Sequence, residues 1–136
     1  QRVTIPKELR AAWGDVSGGV FYVAPGTDGS LAIYDEPSFV RLADRLATAS
    51  PTGRDVRAFG RLFYAQARRS ELDKQGRLRI PPELSQWAAL GNEMVLVGVG
   101  DHVEAWDTKK WEVYTTERSE RYDELAESAF SKEQGT

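Results

Sequence analysis

Leu72-Asp73-Lys74-Gln75-Gly76-Arg77-Leu78-Arg79-Ile80-Pro81-Pro82-Glu83-Leu84 decides the fold, because its second part occurs twice in the chain. Arg2-Val3-Thr4-Ile5-Pro6-Lys7-Glu8-Leu9 lies over Arg77 to Leu84 at an offset of 75, with Arg, Ile, Pro, Glu and Leu in the same places. Farther on, Leu31-Ala32-Ile33-Tyr34-Asp35 followed by Phe39 lies over Val103-Glu104-Ala105-Trp106-Asp107 followed by Trp111, at an offset of 72. Two matching blocks in one order, around one short length difference, mark a duplication. The first copy is three residues longer in between, and Ser17-Gly18-Gly19 is the natural place for the insertion.

Each copy reads alike. A short strand (Arg2 to Ile5; Gly76 to Ile80) is stopped by proline, which cannot donate to a ladder but suits a first helical turn. A short helix follows (Lys7 to Trp13; Pro82 to Ala88), then a hairpin. In copy one the hairpin runs from Val20–Val23 through Pro25-Gly26-Thr27-Asp28-Gly29 to Leu31–Tyr34. In copy two it runs from Met94–Val99 through Gly100-Asp101 to Val103–Trp106. Gly and Asp tolerate the positive φ of such turns. Asp35 and Asp107 stand where N-caps belong, before helices opening at Pro37 and near Thr108.

These readings place a first repeat at 1–49, a linking helix at 50–69, and a second repeat with a C-terminal helix at 70–136. Val56, Phe59, Leu62, Phe63 and Ala67 form the apolar stripe of the linking helix, over about Arg54 to Ala67. Phe39, Ala43 and Leu46 form that of the helix before it. The C-terminal helix carries Trp111, Tyr114, Tyr122, Leu125 and Ala129, interrupted by Arg118. An apolar face that incomplete suits docking on another subunit, with Tyr114, Tyr122 and Leu125 as candidate contacts.

Composition narrows the function. With 136 residues, 40% hydrophobic and 29% charged, the chain has room for one domain or two very small ones sharing a core. The longest apolar run, Met94 to Gly100, is too short to cross a bilayer. No charged-then-apolar leader is present, and a chain opening on Gln1 rather than Met is expected to be truncated. The absence of cysteine excludes disulfides and thiolate metal sites and fits a reducing compartment. His102, without a His or Cys at ligand spacing, reads as a lone exposed histidine. No metal or other cofactor is expected.

The net charge is −3, and six acids against three bases in residues 117–136 account for all of it. Residues 1–116 are therefore neutral, so any DNA binding would have to come from a few placed cations rather than from bulk charge. The motif supplies them. Leu72, Leu78 and Ile80 form the buried side of a strand and its approach, so Arg77 and Arg79 point to the opposite face. Gln75-Gly76 permits a sharp bend, Asp73 is placed to pair with Arg77 or bind turn amides, and Lys74 adds a third cation. A guanidinium held on a rigid strand suits phosphate or guanine recognition. Arg2 and Thr4 hold the corresponding places in copy one. A single exposed arginine is usually just a solvated strand residue; the same arginine before the same Ile-Pro in both copies is not explained that way.

Asp73-x-x-x-Arg77, then Ile80-Pro81-Pro82-Glu83-Leu84, Val95-Leu96-Val97-Gly98 and Glu104-x-Trp106-Asp107, is similar to the second half of the MraZ family, and the likeness runs from Arg2 to about Phe130. That family belongs with the AbrB-like swapped-hairpin barrels. The resemblance implies an α+β fold, a pseudo-symmetric β-barrel from two AbrB-like modules with peripheral helices. It further implies a homo-oligomeric ring that binds double-stranded DNA at G-rich direct repeats in a promoter. The implied role is regulation, usually repression, of the cell-division and cell-wall gene cluster, in the cytoplasm at the nucleoid. The family's DNA-contacting arginine maps to Arg2 and Arg77. The first copy's Asp would lie before Gln1. The family commonly has Lys-Gly before the arginine; here Gln1 precedes Arg2 and Gln75 takes the Lys place, so copy one is expected to contact DNA differently or to bend less there.

Two other classes compete. An enzyme could use the carboxylates of Asp101, Glu104 and Asp107, but Asp107 reads as a cap and Asp101 as a turn residue, with no nucleophile–base pair or phosphate cradle. The chain is therefore not expected to be an enzyme. An oligomeric protein-interaction module, or an antitoxin-like partner without strong DNA binding, is the alternative the acidic C-terminal helix favours.

Overall fold

A computed structural model describes residues 1–11 and 19–134. The elements are β1 (Arg2–Thr4), α1 (Lys7–Ala11), β2 (Val20–Pro25), β3 (Leu31–Asp35), α2 (Glu36–Thr48), α3 (Arg54–Gln66) and β4 (Arg68–Glu71). The chain continues through β5 (Arg77–Arg79), α4 (Pro82–Trp87), β6 (Met94–Val99), β7 (His102–Asp107), α5 (Thr108–Ser119) and α6 (Tyr122–Gln134). The architecture is α+β, with two antiparallel sheets: β1–β5, and a five-stranded sheet in the order β4-β2-β3-β7-β6. Trp13, expected in the first helix, and Ser17 and Gly18, expected in the insertion, lie outside the described residues.

The central registers carry the repeat. β1 and β5 place Arg2 opposite Arg79, Val3 opposite Leu78 and Thr4 opposite Arg77. Past the strand ends, the Ile80 N–H donates to the Gln1 carbonyl (2.6 Å) and the Ile5 N–H to that of Gly76 (3.0 Å). Under the offset of 75 each of these bonds is the equivalent of the other, and the Val3–Leu78 pair lies on the dyad. In the larger sheet, Leu31 faces Ala105, Ala32 faces Glu104 and Ile33 faces Val103. Under the offset of 72 that register also maps onto itself, about Ala32–Glu104. The two hairpins match as well: Phe21 faces Asp35 as Met94 faces Asp107, an offset of 73. One of the three extra residues of copy one therefore lies in its hairpin turn, and two lie between β1 and β2.

Both sheets face one core. Ile5, Leu78 and Ile80 beside the small sheet meet Phe21, Val23, Leu31, Ile33, Val103 and Ala105 of the large one, with Leu84 and Ala88 closing over them. Asp35 and Asp107 cap as expected: the Ser38 N–H donates to Asp35 Oδ1 at 2.9 Å and the Lys110 N–H to Asp107 Oδ2 at 3.4 Å.

Three expectations need correction. On α3 only Phe63 is buried, while Phe59 (46% exposed) and Leu62 (56%) look outward. The inward arc is Val56, Gly60 and Phe63, and Leu62 lies about 100° round the helix from Phe63. The C-terminal segment is two helices. At Arg121 the bonding tightens, its N–H reaching back only three residues to the Arg118 carbonyl, and residues 116–121 offer no apolar side chain to hold a continuous helix on the sheet. His102 is half-buried rather than exposed, its ring against Tyr34 (5.0 Å) and its Nδ1 3.0 Å from Asp101 Oδ1. Burial, more than the nearby carboxylates of Asp101 and Glu104, pushes the Tyr34 phenol up from its ordinary value.

α4 ends in a Schellman motif, with Leu90 N–H on the Ser85 carbonyl, Ala89 N–H on that of Gln86, and Ala89 at φ 50°. This place favours glycine. Ala89→Gly should relieve left-handed strain of about 1–2 kcal/mol, less about 0.4–1 kcal/mol for the looser unfolded chain. The midpoint of thermal unfolding should rise by a few degrees; a fall would mean that Ala89 packs better than it strains.

Candidate nucleic-acid interface

β1 and β5 make a two-stranded ribbon whose faces differ completely. Val3 and Leu78 point into the core, while Arg2, Thr4, Arg77 and Arg79 are all exposed on the other side. Three guanidiniums and one hydroxyl from residues some 75 apart in sequence thus share one surface. Period-two alternation puts them there, and antiparallel pairing brings the copies together.

Asp73 organises that surface. The Asp73 N–H donates to the Arg77 carbonyl and the Gly76 N–H to the Asp73 carbonyl, at 2.9 and 3.0 Å, closing a turn in which Gly76 has φ 75°. This is a turn with a glycine bulge, and a side chain at Gly76 would be strained there. Asp73 Oδ1 accepts the Gln75 and Arg77 N–H groups, both at 2.9 Å. Its Oδ2 accepts Arg77 Nε at 2.8 Å and Arg2 Nη1 at 3.2 Å. One carboxylate therefore clamps the arginines of both copies. The Arg77 N–H, followed by its guanidinium and the Gln75 N–H, outweighs desolvation and holds the Asp73 carboxyl below the usual carboxylate range. The stabilisation linked to that lowered value is fully present above the ordinary carboxylate range and is lost only as pH falls through the lowered value.

Arg77 spends only Nε on Asp73, leaving both Nη groups without a partner among the described residues. Lys74, at the turn, and Arg79 are exposed and have no side-chain partner there either. The smaller bend expected at Gln1 does not displace β1, since the Gln1 carbonyl holds Ile80 just as that of Gly76 holds Ile5. Gln1 also bonds the Gly91 carbonyl and the Ser85 hydroxyl.

Sequence reasoning missed two neighbouring cations. Arg68 and Arg69 of β4 line a cleft of about 410 Å³ together with Arg79 and Glu83. Arg68 is tied to the Ala65 and Ala67 carbonyls, and Arg69 pairs with Glu71 at 3.2 Å. The Arg68-Arg69 doublet was the available signal. Tyr114, expected on an exposed face, is half-buried against Trp106 (4.8 Å) with the Arg118 guanidinium 4.0 Å over its ring. Tyr122 and Leu125 are exposed. Among the described residues no group of three His, Cys, Asp or Glu side chains could hold a metal, and no helix is long and apolar enough to cross a membrane.

Comparison with known proteins places the chain in a family. Residues 63–132 match the family model described as "MraZ protein, putative antitoxin-like". A protein of Finegoldia magna named transcriptional regulator MraZ is 38% identical over 126 residues, covering 93% of this chain and 85% of the relative. The chain belongs to the MraZ family. Further MraZ relatives with the same name come from Lactiplantibacillus plantarum (39% identical; 93% of this chain, 87% of the relative) and Moorella thermoacetica (36%; 93% and 85%). MraZ proteins are thus named as transcriptional regulators, which is not an enzyme class.

Proposed function

We propose that the chain is a sequence-specific regulator, acting as a repressor of the cell-division and cell-wall gene cluster, that lays the β1–β5 ribbon in the major groove of G-rich direct repeats in a promoter. The exposed ribbon face with Arg2, Arg77 and Arg79 carries this reading. The major groove, about 12 Å wide, admits a two-stranded ribbon, and an arginine fork matches guanine O6 and N7. Arg2 and Arg77 read bases, Thr4 and Arg79 lie beside them, and Lys74 neutralises phosphate. The self-equivalent registers support two duplicated AbrB-like modules closing into a pseudo-symmetric barrel. Several chains assemble in a ring, through Tyr122 and Leu125 with Tyr114 behind them, and so multiply a small number of cations.

Footprinting on DNA upstream of the protein's own gene tests the proposal. Protection of repeated G-rich boxes in one orientation is expected, and protection of inverted half-sites, or none, counts against it. Lys74→Ala should lower the slope of log affinity against log salt by about 0.9 without changing the preferred sequence. A changed preference would make Lys74 a base reader.

The exposed acidic α6 and the antitoxin-like description of the family favour a second reading, a module that holds a protein partner. Failure to stay on a heparin column at low salt would favour it.

A further inference from the structure

Two helical surfaces are left exposed among the described residues. α6 carries Tyr122, Leu125, Ala126, Ala129 and Phe130 at helical spacing, with Tyr122 72%, Leu125 40% and Phe130 65% exposed. Asp123, Glu124 and Glu127 border this stripe, and four acids stand against one lysine in the helix. A helix of this length alone in water is marginal, and its stability ordinarily comes from packing an amphipathic face. On α3 the outward arc is Arg54, Ala58, Arg61, Leu62 and Ala65, all exposed, and the helix holds three arginines against one aspartate. Small alanines beside Leu62 leave room for bulky side chains, and the arginine rim is opposite in sign to the rim of α6.

We propose that α6 of one copy of this chain docks on the outward face of α3 of a second copy. Tyr122, Leu125 and Phe130 cover Ala58, Leu62 and Ala65, and the acids of α6 meet Arg54, Arg57 and Arg61. This deepens the assembly part of the function proposed above and rests on it. Because donor and receiver are different surfaces, the contact is head-to-tail, and such contacts close into rings or continue as filaments.

Two full-length variants test it. Leu125→Asp with Phe130→Asp removes the donor; Leu62→Asp with Arg61→Glu removes the receiver. All four positions except Arg61 are apolar and all are exposed, so circular dichroism should match the wild type. In light scattering the wild type should be a multi-subunit assembly and each variant a monomer. Mixed in equal amounts, they should form a complex of two chains and no larger, since only one donor and one receiver remain. Wild-type mass in either folded variant, a mixture that stays monomeric, or a monomeric wild type would each overturn the proposal. Binding to a single DNA site reads the ribbon separately. It should persist in both variants, while affinity for repeats falls by about 10²–10⁴-fold. Loss of single-site binding in the wild type would instead count against the DNA reading.

Discussion

Arg77→Ala should remove most sequence-specific DNA binding while leaving folding stability within about 0.5 kcal/mol of the wild type. The side chain is 44% exposed and its one partner among the described residues, Asp73, keeps the Gln75 and Arg77 backbone donors and Arg2. A bidentate contact to guanine is worth about 1–3 kcal/mol, so each module should lose roughly 5- to 150-fold in affinity, compounded wherever several modules bind one promoter. Gel shifts on specific and scrambled sites, beside circular dichroism melts, measure this. A folded variant with wild-type affinity would remove Arg77 from the interface. Arg2→Ala should act in the same direction but more weakly, because Arg2 gives Nη1 to Asp73 where Arg77 gives only Nε. The reverse order would rank the copies the other way.

One residue along the ribbon the outcome inverts. Leu78→Ala should destabilise the protein by about 2–5 kcal/mol, the usual cost of emptying a fully buried leucine site. Leu78 is 0% exposed, faces Val3 across the dyad and sits in the core cluster shared by both sheets. At this chain length each kcal/mol is worth about 3–4 °C, so the unfolding midpoint should drop by roughly 6–20 °C. Calorimetry decides, and a drop below about 2 °C would mean the ribbon is not seated on the core.

Local chemistry explains why parts of this architecture are legible in the residues. Proline after Ile5 and Ile80 ends two strands, Asp35 and Asp107 cap two helices, and alternation sends Arg77 and Arg79 away from Leu78. Strand β4 is invisible by the same logic. Arg-Arg-Ser-Glu has no apolar alternation, and only pairing with the edge of β2 makes it a strand. The stripe on α3 is ambiguous because five apolar residues span more arc than the sheet covers, so Leu62 reads as core until the packing is seen. The clamp on Asp73 is half legible. The i, i+4 spacing announces Arg77, but Arg2 arrives across 71 residues through the antiparallel pairing of β1 with β5. A long-range partner of that kind follows from topology and leaves no local trace.

The dyad through Val3 and Leu78 is broken at one exposed pair of equivalents: where Arg79 stands in β5, Thr4 stands in β1. A ribbon with identical copies would look the same from either end and could not tell the two directions along a duplex apart. With an arginine fork at one end and a short hydroxyl at the other, the ribbon has a polarity. Reversing a single site in place should then leave a mismatched step under Arg79, and each bound copy should report which way its site runs.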